Sequence, residues 1–537
     1  MNSAPRVVVV GGGIGGLVAA AALARSGIGV LLLEAQTYFG GCAGTFYRRG
    51  YRYDAGATVA AGFGTGGVME TLFDWLDVEV EAELAESSMA VHLPGRSPIV
   101  LPTDRARWES EREAIFGPES RAFWRWQDRT ASLVWDLALR LPPWPARRLG
   151  EWGRCAGAGV RTLGSELGQV HMGLLLDAIR PLQHRLPAAG DDPSLRDLHR
   201  FIDGLLLISA QVRSDRALAL YGAGALDFPW RGVAHVRGGM GGIADALVEG
   251  IRKHGGRVLT RRRVVSVERE AGRVRAVVCN TGERFHGDAV VLNTTPWNLR
   301  AFLDPDQGPL PPSLATLRSP DADLDQGGWG AFVLHCSVDE AAVPDAGPLH
   351  HQVHLGGPMG EGNTAFISVS PGWDEGRAPP GMRAVTISTH TRLRPWWRLL
   401  KENEQEYAVH KASYQDRLLA AAEVALPGFR RRVGEVFAGT PVTYAHYTGR
   451  AQGWVGGLPQ TQLRGPFRAD LGGGLWMVGD SVFPGQSTLA VTLSSLRVSA
   501  ELSSSLGLAP AKTRAWDTLV EWNATVGRLR GRTISQA

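Results

Sequence analysis

Apolar positions are densest at the start of the chain. Val7-Val8-Val9-Val10 is an unbroken hydrophobic run, which predicts a strand buried on both faces. The segment Gly11-Gly12-Gly13-Ile14-Gly15-Gly16 follows it, then an alanine-rich stretch predicted as a helix reaching about Ser26, then a second apolar run at Val30-Leu31-Leu32-Leu33. Farther on, Leu133, Val134, Leu137 and Leu141 recur at helical spacing. Phe201, Ile202, Leu205, Leu206 and Ile208 do the same after the helix-start signal Asp192-Pro193-Ser194. The pattern from Ile243 to His254 predicts a helix, followed by strands at 258–259, 264–267, 274–278 and 289–292, with Thr281-Gly282 as a hairpin turn. Later segments mix strands at 330–334 and 384–388 with a helix over 404–425, and the chain returns to an apolar strand ending at Val478 and a helix from about Leu489. The fold class read from this order is α/β.

The chemistry of the first segment follows from its order of elements. Strand, glycine turn, helix, strand and then an acid, Glu34, eighteen residues past Gly16, is the order a dinucleotide site requires. Gly11 permits a tight turn, Gly13 keeps a side chain off a diphosphate, and Gly16 lets helix and strand pack closely. The helix N-terminus offers unpaired N–H groups and partial positive charge, and Glu34 accepts from a ribose hydroxyl. A merely structural glycine turn is the alternative.

Glu34 is followed by Gly40-Gly41-Cys42-Ala43-Gly44-Thr45, which resembles the extended FAD motif of glutathione-reductase-like flavoproteins. A C-terminal counterpart stands at Gly479-Asp480-Ser481, before a helix beginning near Leu489. The whole stretch GGCAGTFYRRGYRYDAGAT, through Thr58, is similar to the "GGxAGtfxxxGyxfDxGxT" segment of the phytoene desaturase and carotenoid isomerase branch of flavin oxidoreductases. Gly232 to Gly242 resembles that branch's "GxxxxxGGMG" run, and Gly439-Thr440-Pro441-Val442-Thr443-Tyr444 its "TPxt" segment. Within the branch the sequence looks closest to bacterial carotenoid 3′,4′-desaturases and carotene isomerases.

The resemblance implies a glutathione-reductase-like FAD-binding Rossmann domain with an inserted α+β substrate domain. Residues 1–75, 232–300 and 468–508 would form the FAD-binding domain, 76–231 and 301–467 the substrate-binding and membrane-facing domain, and 509–537 a C-terminal helical tail. It implies FAD contacts at Gly11, Gly13, Ile14, Gly15, Gly16, Glu34, Ala35, Gly40, Gly41, Cys42, Ala43, Gly44, Thr58, Val264, Gly479, Asp480, Thr488, Leu489 and Ala490.

Composition narrows the setting. At 537 residues and 44% hydrophobic, the chain can bury at least two cores. Cys42, Cys155, Cys279 and Cys336 lie far apart without CxxC spacing, so they read as reduced thiols rather than metal ligands; Cys42, within the flavin segment, is either redox-active or simply packed. No targeting segment or apolar run of about 18 residues appears, so a cytoplasmic location without a transmembrane span is expected. The net charge of +4 is modest and does not argue for nucleic acid. Two tracts join tryptophan to cations: Arg392-Leu393-Arg394-Pro395-Trp396-Trp397-Arg398-Leu399-Leu400-Lys401, and Trp124-Arg125-Trp126 through Trp135, Trp144, Arg147, Arg148 and Trp152. They are expected to meet the headgroup layer at the inner face of the cell membrane, the alternative being a tryptophan core coated with arginine.

The expected function is FAD-dependent carotenoid desaturation, forming a 3′,4′ C=C bond in an acyclic carotenoid by hydride transfer to flavin, with oxygen or a quinone as electron acceptor. Alternatives are a carotene cis-trans isomerase, a carotenoid ketolase and, from another class, a non-catalytic prenyl-lipid escort protein of the GDP-dissociation-inhibitor type. No Ser-His-Asp, paired-carboxylate or HExxH arrangement nominates a catalytic residue. His235, His350, His351 and His446 are candidate bases by residue type alone.

Overall fold

The computed structural model describes residues 6–146, 148–163, 172–315, 317, 328–344, 346–463 and 467–508. The expected tail at 509–537 and Arg147 lie outside the described residues. The apolar runs Val7–Val10 and Val30–Leu33 pair in parallel at the centre of a six-stranded sheet. Its order is Asp470–Gly472, Leu475–Val478, Ala289–Asn293, Val7–Val10, Val30–Leu33, Arg257–Leu259, with only the first strand antiparallel. Both faces are covered, so these strands need no polar alternation. The helix Ile14–Arg25 is buried nearly all round, because alanine side chains let it pack closely among the sheet, Met240–Lys253 and Thr488–Ser505. A three-stranded antiparallel sheet, Val264–Glu270, Arg273–Cys279 and Arg284–His286, packs beside it. Leu303 and Leu314 pack in the same core.

Both insertions contribute to one second sheet. Its order is Val433–Gly439, Gly330–Asp339, Met382–Thr391, Thr364–Val369, His350–His354, Ser87–His92, Ile99–Pro102, all antiparallel except the pairing of His350–His354 with Ser87–His92. Phe332, Leu334, Cys336 and Val338 alternate onto one face, against Tyr414, Leu418, Ala421 and Ala422 of the helix Glu404–Ala425 and against Trp396. The helix Pro193–Ala210 starts where Asp192 caps it, its carboxylate accepting from the Ser194 and Leu195 amides. Among the described residues no helix is long and apolar enough to cross a membrane.

The two tryptophan tracts divide between core and surface: Trp396 and Trp124 are buried, whereas Trp152 is 41% exposed. Trp396 is fully buried, stacked on Phe332, with its indole N–H donated to Thr391. Trp397 donates to the Gln452 carbonyl, and Trp124 packs edge-on against Trp108 in the core of the helical insertion. Covering the outer face of a sheet takes apolar rings within and cations at the rim, the same mixture of residues that a membrane face uses.

Candidate active site

One cavity of about 470 Å³ lies where the two sheets meet. Its first wall is the glycine turn. Gly11 adopts φ +96°, and a Cβ at Gly16 would stand 2.0 Å from the Gly11 carbonyl oxygen, so the start of the helix is pressed against the strand end. Gly13, Ile14 and Gly15 line the cavity, and the helix has no side-chain cap and no acid in its first turn. Its first N–H groups and their partial positive charge are therefore left for an anion.

Glu34 closes the same end. Its carboxylate accepts from the Gly12 amide at 2.6 Å and the Gln36 amide at 2.7 Å, so it braces the glycine turn besides facing the cavity. Burial raises its carboxyl above the ordinary value, opposed by those backbone donors. Ala35, Gly40, Gly41, Cys42, Ala43, Thr58, Val264, Gly479, Asp480 and Thr488 also line the cavity. Four residues that the resemblance placed at the cofactor do not. Gly16 and Gly44 serve tight backbone packing, a Cβ on Gly44 meeting the Phe39 carbonyl at 2.7 Å, while Leu489 and Ala490 turn into the protein from the first turn of their helix. Burial pushes the Cys42 thiol up, which keeps it protonated rather than reactive.

The sequence assigns no site role to several further contributors. Asn293, at the end of a central strand, lies under the glycine turn with its amide 3.4 Å from the Gly11 carbonyl. Thr440 and Thr443 form a capping box that starts the helix Pro441–Thr448. That helix delivers Tyr444, whose hydroxyl donates to the Ala55 carbonyl, and leads to Arg450, which donates to Asp480. Tyr444 closes the Gly439 to Tyr444 segment that was legible in the sequence, whereas Arg450 lies beyond it. Asp54 joins two of the family-like segments: it accepts from the Met240 amide at 2.9 Å and from Thr45 at 2.7 Å, and pairs with buried Arg377 at 2.9 Å.

The far end of the cavity is largely apolar, with Gln352, Ser388, Thr389 and His390 also in its lining. Met89, Leu207, Ile208, Phe228, Val333 and Phe366 line it, from the second sheet and the helical insertion. The Thr488 hydroxyl, Gln211 Oε1 and Gln352 Oε1 border the cavity, buried and without a partner among the described residues, a donor and acceptor set open to a bound polar group. The residues present thus fit FAD: a diphosphate cradle, a ribose acid and unpartnered polar atoms beyond. Of the histidines, none of the four candidates lines the cavity. His235 stacks on His350 at 5.1 Å, His350 reaches the cavity-lining Thr58 only through Ser368, and His351 contacts His92 at 3.3 Å. Burial pushes His235 and His351 down to about 4 and His350 well below its ordinary value. His446 lies edge-on to Tyr447.

A model of the family of flavin-containing amine oxidoreductases matches residues 14–409. The chain belongs to that family. It is an FAD-dependent oxidoreductase, which sets aside the escort-protein alternative. Among its relatives, prolycopene isomerase 1 of an Oncidium hybrid cultivar is 27% identical over 97% of this chain and 88% of its own length. The lycopene-forming phytoene desaturase of Paracoccus sp. is 24% identical over 82% of this chain and 85% of its own. The solved structure of an oxidoreductase from Methanosarcina mazei aligns with a TM-score of 0.59 at 17% identity, covering 92% of this chain and 99% of that one. Cyclohexylamine oxidase from Brevibacterium oxydans aligns with a TM-score of 0.57 at 15% identity, covering 94% and 100%. These two likenesses speak for the fold alone.

Proposed function

We propose that this flavoenzyme acts on a carotenoid, introducing a 3′,4′ C=C bond into an acyclic polyene. The observation that carries the reading is the cluster of apolar side chains at one end of the cavity, where Val333, Phe366, Leu207 and Ile208 meet the nucleotide cradle. Such a wall binds hydrocarbon by excluding water and selects by shape. Bound FAD supplies a two-electron acceptor for a hydride from an allylic carbon. This chain's part is to hold the cofactor's phosphates at Gly13 to Gly15 and its ribose at Glu34, and to keep water from the reacting carbons with the aliphatic wall. Of the other residues assigned to the cofactor from the sequence, Ala35, Gly40, Gly41, Cys42, Ala43, Thr58, Val264, Gly479, Asp480 and Thr488 line the same cavity and are proposed contacts.

The second reading is cis-trans isomerisation, favoured by the match to prolycopene isomerases over 97% of the chain, against 82% for the Paracoccus desaturase. The two differ in electron balance. Desaturation removes two hydrogens per double bond and requires an acceptor on every turnover, for which oxygen or a quinone is proposed; isomerisation leaves no net electrons to dispose of. Purified protein is incubated anaerobically in liposomes with a 1-hydroxylated acyclic carotenoid, with lycopene or with a poly-cis carotene. A single bleaching of the flavin, and turnover to a lighter product only after oxygen or quinone is added, is expected. Sustained conversion of the poly-cis substrate to an isomer of unchanged mass, with no lighter product from the others, overturns the desaturase reading.

A further inference from the structure

A second cavity, of about 510 Å³, shares no lining residue with the first. It lies between the helix Leu149–Leu163, the end of the helix Thr488–Ser505 and the outer strands of the six-stranded sheet. Six arginines line it: Arg140, Arg148, Arg154, Arg161, Arg468 and Arg497. Only three lining residues are acidic, Glu151, Asp470 and Glu501. Those acids are already engaged. Glu151 and Asp470 lie 3.4 and 3.7 Å from Arg468, Asp470 is 4.0 Å from Arg148, and Glu501 is 3.1 Å from Arg497. Arg140 is paired with Asp136. Arg154 and Arg161 have no carboxylate partner among the described residues.

Arg497 sharpens the case. Its side chain is only 4% exposed, yet Nε and one terminal nitrogen donate to nothing among the described residues. A buried guanidinium with idle donors is costly unless something accepts from it. Its planar fork matches two oxygens of a phosphate, and a cluster with this surplus of positive charge favours a dianion.

We propose that this cavity is a phosphate-binding site. The helix that supplies Arg154 and Arg161 also presents Leu149 at 92%, Trp152 at 41% and Val160 at 54% exposure, an apolar outer face beside a cationic recess. That juxtaposition suits the phosphate of a lipid headgroup, with the apolar side chains entering the layer beneath it. A free phosphate compound satisfies the same arginines without using that face.

The test uses the full-length protein loaded with FAD, whose flavin absorption reports folding in each variant. Wild type and Arg154→Glu/Arg161→Glu are compared for flotation with phosphatidylglycerol–phosphatidylcholine vesicles against phosphatidylcholine alone, and for the change in Tm with inorganic phosphate. Both arginines are exposed, so the double variant is expected to keep its fold. The expected result is flotation with anionic vesicles that the double variant weakens by at least about tenfold, with inorganic phosphate competing. A phosphate-dependent rise in Tm that is absent from the variant, without flotation, supports the same site with a soluble ligand. A charge reversal at Arg430 and Arg431, outside the cavity, is expected to change neither readout. Equal behaviour of wild type and the Arg154/Arg161 variant, or equal losses in the control variant, overturns the proposal.

Discussion

Arg450 donates to the Asp480 carboxylate at 2.8 Å, and each of the two side chains is 15% exposed. The same guanidinium donates to the carbonyls of Trp454 at 2.6 Å and Gly456 at 2.7 Å. It therefore ties the segment after the helix Pro441–Thr448 to the Gly479-Asp480 turn at the cavity. Truncating one member strands the other charge in a partly buried position, which costs about 3–5 kcal/mol in fully buried pairs and somewhat less here. Arg450→Met is expected to lower the urea midpoint and release FAD. A variant of unchanged midpoint that keeps one FAD per chain would show the pair to be incidental.

Two glycines predict opposite outcomes for the same added methyl group. At Gly16 a Cβ meets backbone, 2.0 Å from the Gly11 carbonyl, and neither the strand end nor the helix start can yield. At Gly13 it meets the Asn293 side-chain amide at 2.7 Å, which can rotate away. Gly16→Ala is expected to abolish soluble folded protein. Gly13→Ala is expected to stay folded by circular dichroism while its FAD content falls, because the methyl occupies the anion's approach to the helix. Gly13→Val should abolish FAD binding altogether.

Glu34 makes cofactor affinity depend on pH. Desolvation raises its carboxyl, so in the free protein the acid protonates at a higher pH than an ordinary glutamate, and a neutral carboxyl is a weaker ribose acceptor. FAD affinity is expected to fall on acidification before an exposed glutamate would titrate, and Glu34→Gln is expected to remove that step. Glu34→Ala should weaken FAD binding by about 1.5–3 kcal/mol, the worth of a hydrogen bond to a charged group. Because the carboxylate also braces Gly12 and Gln36, its Tm is expected to drop slightly as well. Titrating FAD into apo-protein across pH, with variant and wild type side by side, checks both.

The seven-stranded sheet buries neutral histidines, and this makes it acid-labile. Burial pushes His335 down to about 3 and His351, His354 and His390 down to about 4. The unfolded chain protonates each near its ordinary 6.5, so it binds more protons than the native state between that value and about 4. Their contribution to stability is present above pH 6.5 and is lost as pH falls through this window, at up to about 1.4 kcal/mol per pH unit for each group. Tm is expected to drop steeply between neutral pH and about 4.5, and His351→Gln to flatten the slope. A Tm independent of pH over that range would refute the account.

What the sequence determined by itself was whatever rests on short stretches of chain. The strand, glycine turn, helix and acid from Val7 to Glu34, the start of a helix at Asp192 and the helix over 404–425 all follow from periodicity, capping and turn chemistry, which act within a few residues. Only the tertiary structure decided the rest. Asn293 sits beneath Gly11, Arg450 holds Asp480, and the strand Ser87–His92 joins a sheet otherwise built largely from residues beyond 330, because packing brings together positions far apart in the chain. The tryptophan tracts show where pattern alone cannot choose. Burying Trp396 behind a sheet and laying it on a membrane require the same mixture of apolar ring and flanking cations, and what distinguishes them is which surface the fold has already covered.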